Sequence, residues 1–143
     1  MAPIVSATTR FTRTGRGTRR ADFLSKASAL LSQSVAYREE GNWEQALESA
    51  YQAALRTAGA WISESSVAGR RRRPTSAWDQ LRLVGGGGEE WADTFSQYSR
   101  LRSRVVSGLE RDLDHDTVDH IIALASEFLA MVEGDASGFP AAA

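Results

Sequence analysis

Both histidines of this 143-residue chain, His115 and His120, fall in one acidic segment, ERDLDHDTVDH, beside Asp112, Asp114, Asp116 and Asp119. Imidazole and carboxylate groups this close in sequence are the raw material of an acid–base pair or a metal site. The alternating aspartates begin like a calcium loop. Position six, however, is Thr117 where the turn needs glycine, and position twelve is Ala123 where a bidentate glutamate is needed. Asp116 and His120 lie four apart and share a helix face, but as a two-ligand set they hold a metal weakly. Capping explains the cluster more simply, because Asp114, Asp116 and Asp119 suit the positive end of a helix dipole. No metal and no cofactor is therefore expected.

A second chemical candidate is the run Arg70, Arg71, Arg72 and Arg73, followed by Pro74. Guanidinium groups bind phosphate in a bidentate manner, so such a run fits contact with a nucleic-acid backbone or a nucleotide; it fits a solvated interhelical loop as well. Nucleophilic catalysis has no support: there is no cysteine, and no serine has a Gly-x-Ser-x-Gly setting. The glycines at 85–88 are not followed by Lys-Ser/Thr, which excludes a phosphate-binding P-loop and leaves a linker. Trp43, Trp61, Trp78 and Trp91 each fall on the apolar stripe of a helix and read as core.

Charge is unevenly distributed. Residues 1–20 hold five arginines and no acid, so a net charge of -1 leaves the rest of the chain acidic. An acidic body argues against a dedicated whole-surface nucleic-acid binder. Sixteen arginines against one lysine point to a GC-rich, bacterial coding sequence. Without cysteine there are no disulfides or thiolate sites, and no run is long and apolar enough for a membrane span. A cytoplasmic protein is expected.

The elements that must position these residues are all helical. Along 41–62 the residues Trp43, Ala46, Leu47, Ala50, Tyr51, Ala54, Leu55, Ala58, Trp61 and Ile62 recur in steps of three and four, with Glu44, Glu48, Gln52 and Arg56 opposite. A first helix over 22–38 precedes it, and Gly41 with Asn42 and Gln45 marks a tight, capped connection. Ser76 caps a short helix. A fourth starts near Glu89 with the stripe Trp91, Phe95, Tyr98, Leu101, Val105 and Leu109, while Arg100, Arg102 and Arg104 read as solvated. A fifth carries Val118, Ile121, Ile122, Ala125, Phe128, Leu129 and Val132 and ends at Gly134. Nothing alternates with period two. The expected fold is all-α, an antiparallel up-and-down bundle of four long helices plus one short helix. It occupies 21–134, between a disordered basic arm at 1–20 and a disordered tail at 135–143.

The order REEGNWEQALESAYQAALRTAGAWI followed by RRRRPTSAWDQL resembles the HEPN superfamily, named for higher eukaryotes and prokaryotes nucleotide-binding, and within it a branch of small stand-alone actinobacterial members of SAV type. The resemblance implies frequent homodimers and, in many members, metal-independent RNA cleavage by an Arg-x(4-6)-His motif. That motif is absent here. The positions that leave four to six residues between them and His115 are Glu110, Leu109 and Gly108, and those for His120 are His115, Asp114 and Leu113. Arg111 precedes His115 too closely, among aspartates that repel a phosphate.

The expected function is thus a non-catalytic HEPN-type module, a homodimer touching RNA or nucleotide through Arg70, Arg71, Arg72 and Arg73, or a protein partner such as a nucleotidyltransferase. The alternative is a divergent ribonuclease, a toxin or defence effector using Arg111 with His115 or His120. GNWEQALESAYQAAL also resembles part of a tetratricopeptide repeat, which would make the chain a helical adaptor. That motif recurs every 34 residues or so, and no second copy follows near residue 75.

Overall fold

The computed structural model describes residues 15–135, with side chains from 18 to 134. Among the described residues five helices form: α1 (Gly15–Glu39), α2 (Trp43–Ser63), α3 (Ala77–Val84), α4 (Gly88–Val106) and α5 (His115–Asp135), with a 3-10 turn at Ser66–Gly69. No strand occurs among the described residues. Phe23 packs at Gly59 and the Ser34 hydroxyl donates to the Ala46 carbonyl at 2.6 Å, so α1 and α2 are antiparallel. Glu48 pairs with Arg102, and Trp61 faces Gly86, which makes α4 antiparallel to α2 as well. Trp43 stacks on His115 and Trp61 leans on Phe128, so α5 runs parallel to α2. The four long helices therefore go up, down, up and down, with α3 inserted before the third.

Two glycines set helix ends. At Gly41 (φ 79°) the Asn42 amide donates to the Tyr37 carbonyl and the Gly41 amide to that of Arg38, the paired bonds of a Schellman stop. Asn42 then caps α2, accepting from the Gln45 amide at 3.4 Å. The same paired bonds recur at Gly108 (φ 82°), where the Leu109 and Gly108 amides donate to Arg104 and Val105. They end α4 at Val106 and correct the sequence reading of Leu109 as an inward residue: it is 77% exposed.

Two further boundaries move. α1 starts at Gly15, seven residues before Asp22, so residues 15–20 are helix and not arm. Arg20 has a reason to be there, since its guanidinium donates to the Val132 carbonyl of α5 at 2.8 Å. Residues 1–14 of the expected arm and 136–143 of the expected tail lie outside the described residues, and α5 runs one residue past Gly134. The glycine linker is also shorter than the sequence reads. Gly85, Gly86 and Gly87 take positive φ, but Gly88 is the buried first residue of α4.

Gly88 is pinned by the chain it leaves: a Cβ there would stand 2.5 Å from the Leu81 carbonyl oxygen. Backbone cannot swing aside as a side-chain tip can. Gly88→Ala is expected to cost about 1–3 kcal/mol by opening the α3–α4 corner. Urea unfolding measures it, and an unchanged midpoint would mean that the corner yields freely.

The core is built around α2, whose Ala46, Ala50, Ala53, Ala54, Ala58 and Ala60 are all buried. Small side chains let α1 and α5 approach closely. Beside them, Trp91 and Phe95 stack on each other and on Phe128 and Trp78, and the Trp78 indole N–H donates to the Tyr51 hydroxyl at 2.9 Å. That bond satisfies both polar ends inside the core. Trp78 is buried, whereas Trp43, Trp61 and Trp91 are half-buried.

Candidate functional site: a basic loop and the cavity beneath it

The segment 65–76 leaves α2 as an anchored loop. Ser65 accepts from the Val67 amide, Val67 is buried, and the Arg70 amide donates back to the Val67 carbonyl at 3.1 Å. At the far end, Gln80 of α3 donates to the Pro74 carbonyl at 2.8 Å and Ser76 caps α3 by accepting from the Asp79 amide. Between these anchors Arg70, Arg71, Arg72 and Arg73 are all exposed. Among the described residues, only Arg73 of the four has a bonded side chain, to the Ala68 carbonyl at 3.2 Å, and none of them meets a carboxylate. Proline and four adjacent charges keep the stretch out of helix.

Beneath the loop lies a cavity of about 260 Å³ to which α1, α2, the loop and α3 all contribute. Arg19 and Arg73 line it together with Phe23, Leu55, Ile62 and Ala77. The register of the first helix pair explains the meeting: with Phe23 at Gly59, Arg19 falls one turn earlier, opposite Ser63 where α2 gives way to the loop. Arg19 was assigned by sequence to a free arm. Its helical position could be found only from the pairing of α1 with α2.

The histidine segment is arranged differently. Arg111 and His115 line one cavity of about 300 Å³ with Trp43 and Leu113, so those two candidates are brought together. His120 is exposed and lies elsewhere on α5, five positions on and so well round the helix. The His115 ring stacks on Trp43 at 3.9 Å between centroids and 9° between planes, pinning the start of α5 to the start of α2. Asp114 accepts from the Asp116 amide at 3.2 Å and the Thr117 hydroxyl at 3.3 Å, which is capping work. Among the described residues no three His, Asp or Glu side chains gather to hold a metal ion, and no helix is long and apolar enough to cross a membrane.

Sequence reasoning missed one charge pair altogether. Arg102 of α4 grips Glu48 of α2 through two bonds, at 2.6 and 3.1 Å, and lies 5.4 Å from the Tyr51 ring centre. Partial burial pushes the Glu48 carboxyl up, but hydrogen bonds from Arg102 and Gln52 and the charge of Arg102 outweigh it and hold the pKa below its ordinary 4.5. A depressed acid stabilises the fold above its unfolded pKa, and that contribution is lost as pH falls from about 4.5 through the folded value. Glu48→Gln should therefore flatten the acid limb of stability against pH, read by urea midpoints. An identical limb would assign that stability to other carboxylates. Three further helix arginines, Arg38, Arg82 and Arg104, are likewise engaged by acids.

Comparison with known proteins adds one finding. The family model described as HEPN_SAV_6107-like HEPN matches residues 36–133, from the last turn of α1 through nearly all of α5. No curated protein and no solved structure matches significantly. The match spans the basic loop and the three helices that follow it, and leaves Arg19 outside. On a match of this extent, the chain belongs to the SAV_6107-like HEPN family.

Proposed function

We propose that the chain is a non-catalytic HEPN-type interaction module, homodimeric and cytoplasmic, that contacts RNA or nucleotide phosphate through Arg70, Arg71, Arg72 and Arg73. One observation carries the reading. These four exposed cations stand on a loop tied down at both ends and have no carboxylate partner among the described residues, whereas Arg38, Arg82, Arg102 and Arg104 are each paired with an acid within the bundle. Fixing the loop lowers the entropy lost when a phosphate backbone is gripped. The test is RNA binding by the wild type and by the variant with all four arginines replaced by alanine, measured across a salt series. Weaker, less salt-dependent binding in the variant is the expected result, and equal binding would overturn the reading.

A ribonuclease is favoured only by the shared cavity of Arg111 and His115. Against it, one face of the His115 ring is covered by Trp43, and Asp112, Asp114 and Asp116 flank the same segment. Cleavage of assorted RNAs by purified protein, abolished in His115→Ala, would replace the interaction module with an enzyme.

A further inference from the structure

The cavity under the basic loop differs from the loop itself in what it can recognise. Among the described residues its charged lining is Arg19 and Arg73, both exposed, whereas Ile62 is buried and Phe23, Leu55 and Ala77 are half-buried. The cations thus stand at the mouth over an apolar floor. Among the described residues no aspartate or glutamate lines it. Of the five N–H donors on Arg73, the Ala68 carbonyl takes one, so most of the fork remains free for an incoming anion. A polyanion backbone would use the charges and leave the floor empty. We propose that this cavity binds a small amphiphilic anion: a single planar or short apolar body, seated on Phe23, Leu55 and Ile62, with a phosphate-monoester or carboxylate head held between Arg19 and Arg73.

The size agrees with a small guest. At about 260 Å³ the cavity falls just below the roughly 300–1,000 Å³ of sites that enclose drug-sized ligands. One or two fused rings fit and a chain of several units does not. Hydrogen bonds from two guanidinium groups to one ionised head supply orientation, and the floor supplies the burial that distinguishes this guest from a bare ion. Arg19 comes from α1 and Arg73 from the loop, so an occupied cavity ties the loop to the first helix. This proposal is independent of the RNA reading, since it requires Arg19 and does not require Arg70, Arg71 or Arg72.

The probes are 1-naphthyl phosphate and 1-naphthoate, with inorganic phosphate and 1-naphthol as half-ligands, followed on the full chain by ligand fluorescence or amide chemical shifts. The expected result is a Kd on the order of 1 mM or tighter for at least one two-part probe. Each half-ligand alone should bind about tenfold more weakly or worse, as should the two-part probe to Arg19→Ala or Arg73→Ala. Which of the two probes binds more tightly identifies the head group. The triple variant Arg70→Ala, Arg71→Ala, Arg72→Ala should keep the probe within about threefold while losing RNA, and Arg19→Ala should do the reverse. Because all five arginines are exposed, their removal leaves the core intact. Inorganic phosphate binding as tightly as the naphthyl probes, a triple variant as impaired as Arg19→Ala, or no probe binding at 10 mM or so would overturn the proposal.

Discussion

Phe128→Ala should destabilise the bundle by about 3–5 kcal/mol, the largest loss from any single truncation proposed in this protein. Phe128 is fully buried on α5 and its ring lies 4.8 Å from Trp91, 5.4 Å from Phe95 and 6.3 Å from Trp61 between centroids. Those three rings belong to α4 and α2, so the cavity left behind would lie where three helices meet. It cannot collapse without moving an aromatic residue on each. Against a total stability of roughly 5–15 kcal/mol, such a loss is a large fraction, and the melting temperature should fall on the order of 10–20 °C. Phe128→Leu, which refills part of the volume, should cost about half as much. A melting point within about 3 °C of the wild type for Phe128→Ala would show that the aromatic cluster is not the centre of the fold.

Removing the four loop arginines should reduce the slope of log K for RNA against log salt by about 0.7 for each arginine that meets a phosphate, and so by up to about 3. The argument rests on counterions. Each phosphate neutralised by a guanidinium releases condensed cations, and salt opposes that release. In the loop the charges are unshared, so their whole effect is available to a ligand. Arg102 makes a contrasting control: it is already committed to Glu48, and its loss should change stability while leaving the salt slope alone. If Arg102→Ala flattened the slope as much as the loop variant, binding would have to be assigned to general surface charge.

Much of the architecture could be read from residue spacing, because period and punctuation agreed. Gly41, Asn42 and Gln45 announce a stop and a restart, and the paired hydrogen bonds there follow that order. Leu109 shows where spacing misleads. It continues the four-residue step from Val105, but Gly108 between them supplies a left-handed turn that sends it into solvent. Glu48 fails for a different physical reason. A stripe assumes one buried face, whereas α2 is covered by α1, α3, α4 and α5, so its polar side also meets a neighbour. Ser49, Ala53 and Ala60 off the main stripe, all small and all buried, were the available signal. The exposure of Arg70, Arg71, Arg72 and Arg73 followed from composition. The presence of Arg19 beside Arg73 did not, since it depends on a helix register that no local pattern encodes.

The parallel alignment of α2 and α5 also bears on how the chain is born. After α1, the most extensive neighbour of α2 is α5, and Val132 leaves the ribosome roughly 70 residues after Ser63. At about 5–20 residues per second, that is a delay of several seconds. During it, α1 and α2 can close as a local hairpin while the second alanine face of α2 stays uncovered. A nascent chain paused before α5 emerges would therefore be the form most open to chaperone capture, and slow codons after α4 would lengthen that window.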